Sequence, residues 1–183
     1  MRFPAVAAAL LLSCACAQAI EYRRLDPAGS HIRFTSRQMG VPVDGAFRKF
    51  DASLAFDPDA PAAARGQLRI DLSSVDTGLR EVNDEVMSAQ WFDVRRHPDA
   101  RFEMRQIQSQ GAGRFQVSGV LSIKGINQPM VVNTVLKTNA KQAIMEGSFV
   151  MKRLDFGIGG GTWGDVRIVA NEVTVQFQLA LEP

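Results

Sequence analysis

Apolar and polar residues alternate along most of this chain of 183 residues. In the C-terminal run NEVTVQFQLAL, every second residue from Val173 to Leu181 is apolar, and the residues between them are mostly polar. Such alternation with period two is typical of a strand that buries one face. Comparable runs are HIRFTS, VDGAF, FDASLAF, GQLRIDL, ARFEMRQI, FQVSGVLSIKG and MEGSFVMKR. The run QPMVVNTVL is apolar on both faces and is compatible with a strand or a helix.

One segment, LREVNDEVMSAQWF, departs from this rhythm. Leu79, Val82, Val86 and Ala89 recur at helical spacing, and charged residues occupy the rest of the turn. The pattern predicts one short amphipathic helix between strands, which ends near Pro98.

The apolar positions change from odd to even numbers between Phe47 and Phe50, which predicts a bulge or corner at Arg48-Lys49. Turns are expected at 27–29, 58–61, 111–113, 125–127 and 138–140, where Gly, Pro, Asn or Asp occur. No linker divides the chain and no segment repeats. We therefore expect one all-β domain, an eight-stranded antiparallel barrel with one short helix.

The segment GGGTWG has glycines at 159, 161 and 164, the spacing of a dinucleotide-binding loop. Such a loop requires a helix directly after the glycines, because the helix N-terminus faces the pyrophosphate. Here the following DVRIVANEVTVQF alternates like a strand. The segment is therefore predicted to be a glycine-rich loop between two strands.

The first residues, MRFPAVAAALLLSCACAQA, have the form of a secretory signal peptide, with Arg2, an apolar run and Ala17-Gln18-Ala19 before the cleavage point. We expect cleavage after Ala19, so that the leader is 1–19, the mature domain is 20–183 and the location is periplasmic. Alternatively, Leu11-Leu12-Ser13-Cys14 resembles a lipobox, and the protein would then be anchored to a membrane by lipid at Cys14. Both cysteines lie in the leader, so no thiol chemistry is expected in the mature protein.

Charge and candidate catalytic residues argue against several classes of function. Without Arg2 the chain has 20 basic and 19 acidic residues, which does not favour binding to nucleic acid or electrostatic binding to an anionic membrane. The two histidines, His31 and His97, have no metal-ligand or catalytic spacing, and no serine lies in a G-x-S-x-G motif. We therefore expect neither a metal site nor an enzyme.

The composition indicates an apolar interior, with 11 Phe and 7 Met against one Tyr. An eight-stranded barrel is just wide enough either to fill itself with side chains or to hold one slender ligand. Methionine adapts equally well to an irregular core and to an irregular apolar guest. Both alternatives remain open at this point.

Several ordered motifs resemble the YceI-like family of secreted, lipocalin-like proteins. The family's V-D-T strand end corresponds to 75–77, its S-A-x-x-F-D segment to 88–93, and its [Y/H]-P-x-A-x-F strand to 97–102. GAFRKFDASLAFDP, VSGVLSIKGINQPMVV and the R-x-D-[F/Y] of MKRLDFGI resemble three further family segments. The similarity covers roughly residues 21–181.

This resemblance implies an extended, lipocalin-like barrel whose apolar pore encloses a polyisoprenoid tail, either of an isoprenoid quinone or of a polyprenyl phosphate. It implies a periplasmic lipid-binding protein that takes part in transport, can form a homodimer and can work with a cytochrome b561-like membrane protein. No cofactor is expected besides the bound lipid. The alternatives are a secreted stress-response structural domain with a filled core, or an enzyme acting on an isoprenoid-like substrate.

On this reading, twelve residues are predicted to line the pore. They are Phe34, Phe47, Phe56, Ile70, Phe102, Met104, Leu121, Ile123, Phe149, Met151, Trp163 and Phe177. Arg80 and Asp84 are the candidates for contact with the headgroup. Many family members carry R-D-x-H-L in the helix, whereas this chain has Asn83 and Val86 at the Arg and His positions. The change favours a different or less charged headgroup.

Overall fold

The computed structural model describes residues 20–139 and 142–183. Its strands are β1 (Arg24–Gln38), β2 (Val41–Phe47), β3 (Phe50–Ala55), β4 (Arg65–Asp71), β5 (Val75–Asp76), β6 (Asp99–Gly111), β7 (Arg114–Ile123), β8 (Ile126–Thr138), β9 (Ala143–Lys152) and β10 (Glu172–Glu182), and its helix is α1 (Arg80–Met87). Short 3-10 turns occur at Pro61–Ala63, Leu72–Ser74, Arg153–Phe156 and Gly161–Gly164. The expected leader, its cleavage point and Cys14 lie outside the described residues.

The ten strands form a single antiparallel sheet, in the order β3-β4-β6-β7-β8-β9-β10-β1-β2-β5. The sheet curls until β3, at one edge, lies beside β1. The N–H of Tyr22, just before β1, donates to the carbonyl of Phe56 at 2.8 Å, and the N–H of Phe56 donates to the carbonyl of Tyr22 at 3.0 Å. Within residues 20–139 and 142–183, the all-β, lipocalin-like antiparallel barrel with one helix is thus confirmed, but the predicted eight strands are corrected to ten.

The two strands beyond the eight alternating runs are β8, which contains QPMVVNTVL, and β5, which lies next to the predicted corner. Arg48-Lys49 separates β2 from β3, and the two-residue β5 pairs with the end of β2. The N–H of Arg48 donates to the carbonyl of Ser74 at 3.1 Å, and the N–H of Lys49 donates to Ser74 Oγ at 3.0 Å. The segment that precedes β5 therefore holds the corner in place. The corner in turn bends the chain where the barrel closes.

The turn predicted at 27–29 was wrong, because these residues lie within β1 as a bulge. The register between β1 and β10 shifts between Asp26 and His31. The Asp26 carboxylate accepts hydrogen bonds from the N–H groups of Ala28 at 2.9 Å and Gly29 at 3.2 Å. A local side chain thus satisfies the backbone groups that the ladder loses, and Pro-Ala-Gly is accommodated without reversing the chain.

The remaining segments follow the alternation. QPMVVNTVL lies in β8. The helical segment forms α1, but the predicted end near Pro98 was wrong: the helix ends at Met87, because the next residue, Ser88, has an extended backbone. The glycines at 159, 161 and 164 lie in the loop 153–171 between β9 and β10, as predicted. Apolar side chains from Tyr22, Phe56, Ile107, Phe115 and Leu136 pack the barrel end that lies away from α1. That end is filled, and Phe56 and Phe115 meet edge to face with ring centroids 5.5 Å apart.

Candidate functional site

Two apolar cavities follow one another inside the barrel. The helix-side cavity lies under α1 and the loop 153–171 and has a volume of about 330 Å³. The far cavity lies between β3, β4 and β6 to β10 and has a volume of about 160 Å³. Five side chains line both cavities and form a shared waist: Ile32, Ile70, Leu121, Phe149 and Val175. Together the cavities form one elongated apolar space.

Strand alternation produces this space directly. Each strand turns every second side chain inward, so the apolar residues of the period-two runs meet inside the barrel. Two glycines, on β7 and β9, make room for large rings on the adjacent strands β6 and β10. A Cβ on Gly119 would lie 2.6 Å from Phe102 Cζ, and a Cβ on Gly147 would lie 2.6 Å from Phe177 Cζ. Glycine at these positions thus lets an aromatic ring lie flat against the wall of the far cavity.

Each of the twelve residues predicted to line a pore borders one or both cavities. Phe34, Phe47, Ile123, Met151 and Trp163 face the helix-side cavity, Phe56, Phe102, Met104 and Phe177 face the far cavity, and Ile70, Leu121 and Phe149 face both. Their placement is a property of the structure, whereas their contact with a ligand stays a prediction.

The polar groups are concentrated in the helix-side cavity. Its charged liners among the described residues are Glu81, Glu85 and Arg153, whereas the far cavity has none. Glu85 Oε1 accepts a hydrogen bond from Trp163 Nε1 at 2.7 Å, which links α1 to the loop 153–171. An elongated ligand would therefore place its polar end under α1 and its apolar end in the far cavity.

The headgroup candidates Arg80 and Asp84 are not part of either cavity wall. Both are exposed, and Arg80 Nε lies 3.8 Å from Asp84 Oδ2. The helix packs Val82 and Val86 onto the barrel, so it turns Glu81 and Glu85 toward the cavity and the residues one position before them toward solvent. No local sequence pattern separates the cavity-facing Glu81 and Glu85 from the neighbouring Asp84, because only the packing of α1 sets the rotation of the helix.

Arg153 organises the loop that closes the helix-side cavity. Its side chain is 1% exposed, and its guanidinium donates five hydrogen bonds, each to a different backbone carbonyl. The acceptors are the carbonyls of Ala170 (3.1 Å), Ile158 (2.8 Å), Gly159 (2.8 Å), Trp163 (2.6 Å) and Val169 (2.8 Å). Burial lowers the pKa of this guanidinium, but arginine stays charged at neutral pH.

Trp91 also lines the helix-side cavity and was missed by the sequence analysis. Its ring contacts the Trp163 ring, with centroids 5.7 Å apart, and the Arg153 guanidinium, which lies 5.7 Å from its centroid. Its Nε1 is buried and has no hydrogen-bond partner among the residues that the structure describes. The aromatic pair Trp91-Phe92 directly after the helical pattern is the only sequence signal for this wall of the cavity.

The two helix positions that differ from the common family pattern have distinct roles. Val86 contributes apolar surface to the helix-side cavity. Asn83 Oδ1 accepts hydrogen bonds from the N–H of Thr77 at 2.9 Å and from Thr77 Oγ1 at 2.8 Å. Val86 therefore keeps the cavity wall uncharged, and Asn83 fixes the loop that leads into α1.

Within residues 20–139 and 142–183, no three or more His, Cys, Asp or Glu side chains come together in a way that could hold a metal ion. In the same part of the chain, no helix combines the length and the apolar character needed to cross a bilayer.

Comparison with known proteins relates this architecture to one domain family. The model of the YceI-like domain matches residues 24–181. A UPF0312 protein of Azotobacter vinelandii is 32% identical over 157 residues, which cover 81% of each chain. A UPF0312 protein of Photorhabdus laumondii is 30% identical over 159 residues, which cover 82% of each chain.

Two solved structures have the same fold. The crystal structure of BcnA from Burkholderia cenocepacia superposes with a TM-score of 0.83 at 37% identity, over 85% of this chain and 98% of BcnA. A polyisoprenoid binding domain from Saccharophagus degradans, implicated in plant cell wall breakdown, has a TM-score of 0.69 at 20% identity, over 89% and 99% of the two chains. The second likeness concerns the fold alone.

Proposed function

The chain belongs to the YceI-like domain family, and from this premise we propose that it is a binding protein that carries a long isoprenoid lipid inside its barrel. The observation that carries the proposal is the elongated apolar space formed by the helix-side and far cavities around a shared waist. Well-packed interiors contain few voids larger than a water molecule. Cavities of about 330 and 160 Å³ therefore argue against the alternative of a filled structural core.

The physical basis of retention is burial of the tail. Transfer of a hydrocarbon chain from water contributes about 0.8 kcal/mol per CH₂ group. Burial of about 12 to 25 tail carbons thus gains on the order of 10–20 kcal/mol before the costs of ordering are subtracted. Because burial is non-directional, the barrel holds the tail firmly while tolerating different tails, and the polar end decides which lipid is preferred.

The polar groups under α1 favour a neutral headgroup, such as a quinone ring, over a polyprenyl phosphate. Glu81 and Glu85 would repel a phosphate, and the donors of Arg153 are already used by five carbonyls. Trp91 Nε1 is a buried donor without an acceptor in the part of the chain that the structure describes, and leaving such a group unpaired is costly. A carbonyl oxygen of the headgroup would supply the missing acceptor.

Export to the periplasm, exchange of the lipid with a cytochrome b561-like membrane protein and assembly into a homodimer are further parts of the proposal. They rest on the form of the first 19 residues and on the resemblance to the family. Attachment to a membrane through Cys14 is the alternative to a free periplasmic protein.

An enzyme acting on an isoprenoid-like substrate is the second candidate, because the structure supplies a feature that the sequence analysis did not find. Glu81 and Glu85 both border the helix-side cavity, and two carboxylates can serve general acid–base chemistry. Glu85 is already hydrogen-bonded to Trp163. Turnover of an isoprenoid by the wild type that is lost in the double variant Glu81→Gln, Glu85→Gln would support this candidate instead.

Blocking the waist tests the binding proposal. Val175→Trp places a large side chain where the two cavities meet, whereas Val150→Trp places the same side chain on the outer surface, where Val150 is exposed. We expect both variants to fold, judged by urea unfolding, but only the waist variant to lose binding of ubiquinone-10 added from detergent. Should Val175→Trp fail to fold, Val175→Phe is the milder block. A folded waist variant that binds as tightly as the wild type would refute the proposed path of the tail.

A further inference from the structure

Large apolar side chains are exposed around one end of the barrel. Met39 (76% exposed), Val41 (64%), Leu79 (60%), Val166 (51%) and Ile168 (36%) make up this group, which we call the mouth rim. We propose that the mouth rim docks on the surface of a lipid bilayer by inserting these side chains, so that the tail passes between the membrane and the barrel without crossing water. This inference rests on the proposed function.

Backbone contacts place the rim at the opening of the helix-side cavity. The N–H of Met39 donates to the carbonyl of Ile168 at 2.7 Å, so the β1–β2 hairpin and the loop 153–171 touch at their tips. The residues next to this contact, Gln38 and Val169, form a bridge and both line the helix-side cavity. The rim is therefore continuous with the cavity wall.

Leu79 belongs to the same end of the barrel. It is the N-cap residue of α1, and it is followed closely by Glu81 and Val82, which line the helix-side cavity. Leucine is a poor N-cap, since its side chain cannot accept a hydrogen bond from the first turn. The chain thus exposes an apolar side chain where capping would favour a polar one.

The tip of the β1–β2 hairpin likewise exposes an apolar side chain at a position that favours other residues. Met39 and Gly40 have φ angles of +51° and +82°, as in a two-residue type I′ turn, where Asn, Asp and Gly are strongly preferred at both positions. Met39 adopts a left-handed conformation that its side chain disfavours, and that side chain is more exposed than those of the other rim residues. Contact of the hairpin tip with a bilayer would account for an apolar side chain at position 39.

The charges near the rim select insertion over electrostatic attraction. Arg167 pairs with Asp165 at 2.7 Å, and Arg80 lies 3.8 Å from Asp84. Arg37, at the hairpin tip, donates to the carbonyl of Gly40 at 3.2 Å. These three guanidinium groups thus each have a partner within the chain, and acidic residues offset the charge of two of them. We therefore expect binding to a neutral bilayer, with little dependence on salt. A second copy of the chain is a less suitable occupant, because a stable interface buries about 800 Å² on each partner, and five side chains fall short of this.

The experiment measures flotation of the processed protein with phosphatidylcholine vesicles at low and high salt. The double variant Val41→Ser, Val166→Ser removes two rim valines, neither of which lines a cavity. The matched control, Val131→Ser, Val150→Ser, removes two valines from the side of the barrel with similar exposures of 59% and 55%. We expect the rim variant to lose at least about tenfold in partitioning, or about 1.4 kcal/mol, and the control to partition like the wild type.

The inference is overturned if the wild type does not float, if both double variants lose binding equally, or if binding requires anionic lipid and vanishes in high salt. It is also overturned if the rim valines hold a dimer instead, seen by light scattering as dissociation in the rim variant alone. Binding of ubiquinone-10 from detergent separates this inference from the proposed function. If the protein floats with vesicles but does not bind the quinone, only the proposed lipid-carrier function is contradicted. If the protein binds the quinone but does not float, only the proposed docking of the mouth rim is contradicted.

Discussion

Replacing Arg153 with lysine should destabilise the protein severely, because the hydrogen bonds of this residue cannot be reproduced by an amine. The guanidinium donates to five carbonyls, whereas a lysine ammonium has three donors. At least two of these buried or half-buried carbonyls would lose this partner, at about 1–3 kcal/mol each. The expected loss is therefore about 2–6 kcal/mol, a large part of the roughly 5–15 kcal/mol by which a typical domain is stable.

The measurement is urea unfolding followed by circular dichroism and by the fluorescence of Trp91 and Trp163. Lysine keeps the positive charge, so the comparison isolates the number of donors from the presence of the charge. Arg167→Lys is the matched control, since Arg167 is exposed and pairs only with Asp165. The control should change stability by no more than about 0.5 kcal/mol. A loss below about 1 kcal/mol for Arg153→Lys, against the expected range, would show that these five contacts do not hold the loop 153–171 in place.

Three further changes test other parts of the account. Gly147→Ala should displace the Phe177 ring, since the new Cβ would lie 2.6 Å from Phe177 Cζ. It should lower the free energy of unfolding, measured in urea, by about 1–3 kcal/mol. A loss of stability below about 0.5 kcal/mol would mean that the ring moves freely. Trp91→Phe removes the unpaired donor and should weaken quinone binding by about three- to tenfold, measured by titration; unchanged affinity would rule out this contact. Hydrogen bonding from Gly78 and then Arg48 lowers the pKa of Asp76 below its ordinary value of 3.8, so its contribution to stability is present above that value and is lost as the pH falls through the lowered pKa. Asp76→Asn should accordingly be less stable than the wild type at pH 7 and equal to it in strong acid, and a difference that persists in acid would contradict this assignment.

The wall of the barrel was predictable because it depends on local alternation. Phe149 and Phe177 face inward for the same reason that Val150 faces outward, and a period of two leaves no other choice once one face is buried. The corner at Arg48-Lys49 was visible as a change of parity in the sequence. The bulge at 27–29 was not, because Pro-Ala-Gly has the composition of a turn, and only the pairing of β1 with β10 shows that the strand continues.

The polar end of the site could not be derived in the same way. Arg80 and Asp84 lie one position before Glu81 and Glu85, and the rotation of α1 that separates the two pairs is set by packing of Val82 onto the barrel. The contact between Glu85 and Trp163 joins residues 78 positions apart. Such contacts depend on the assembled fold, and no local pattern encodes them.

The most direct test of the central claim is native mass spectrometry of the processed protein purified from its own compartment, followed by organic extraction and identification of any lipid. The account predicts one isoprenoid per chain, with a neutral headgroup of the quinone type. A protein that carries no lipid and takes up neither ubiquinone-10 nor undecaprenyl phosphate from detergent would contradict it.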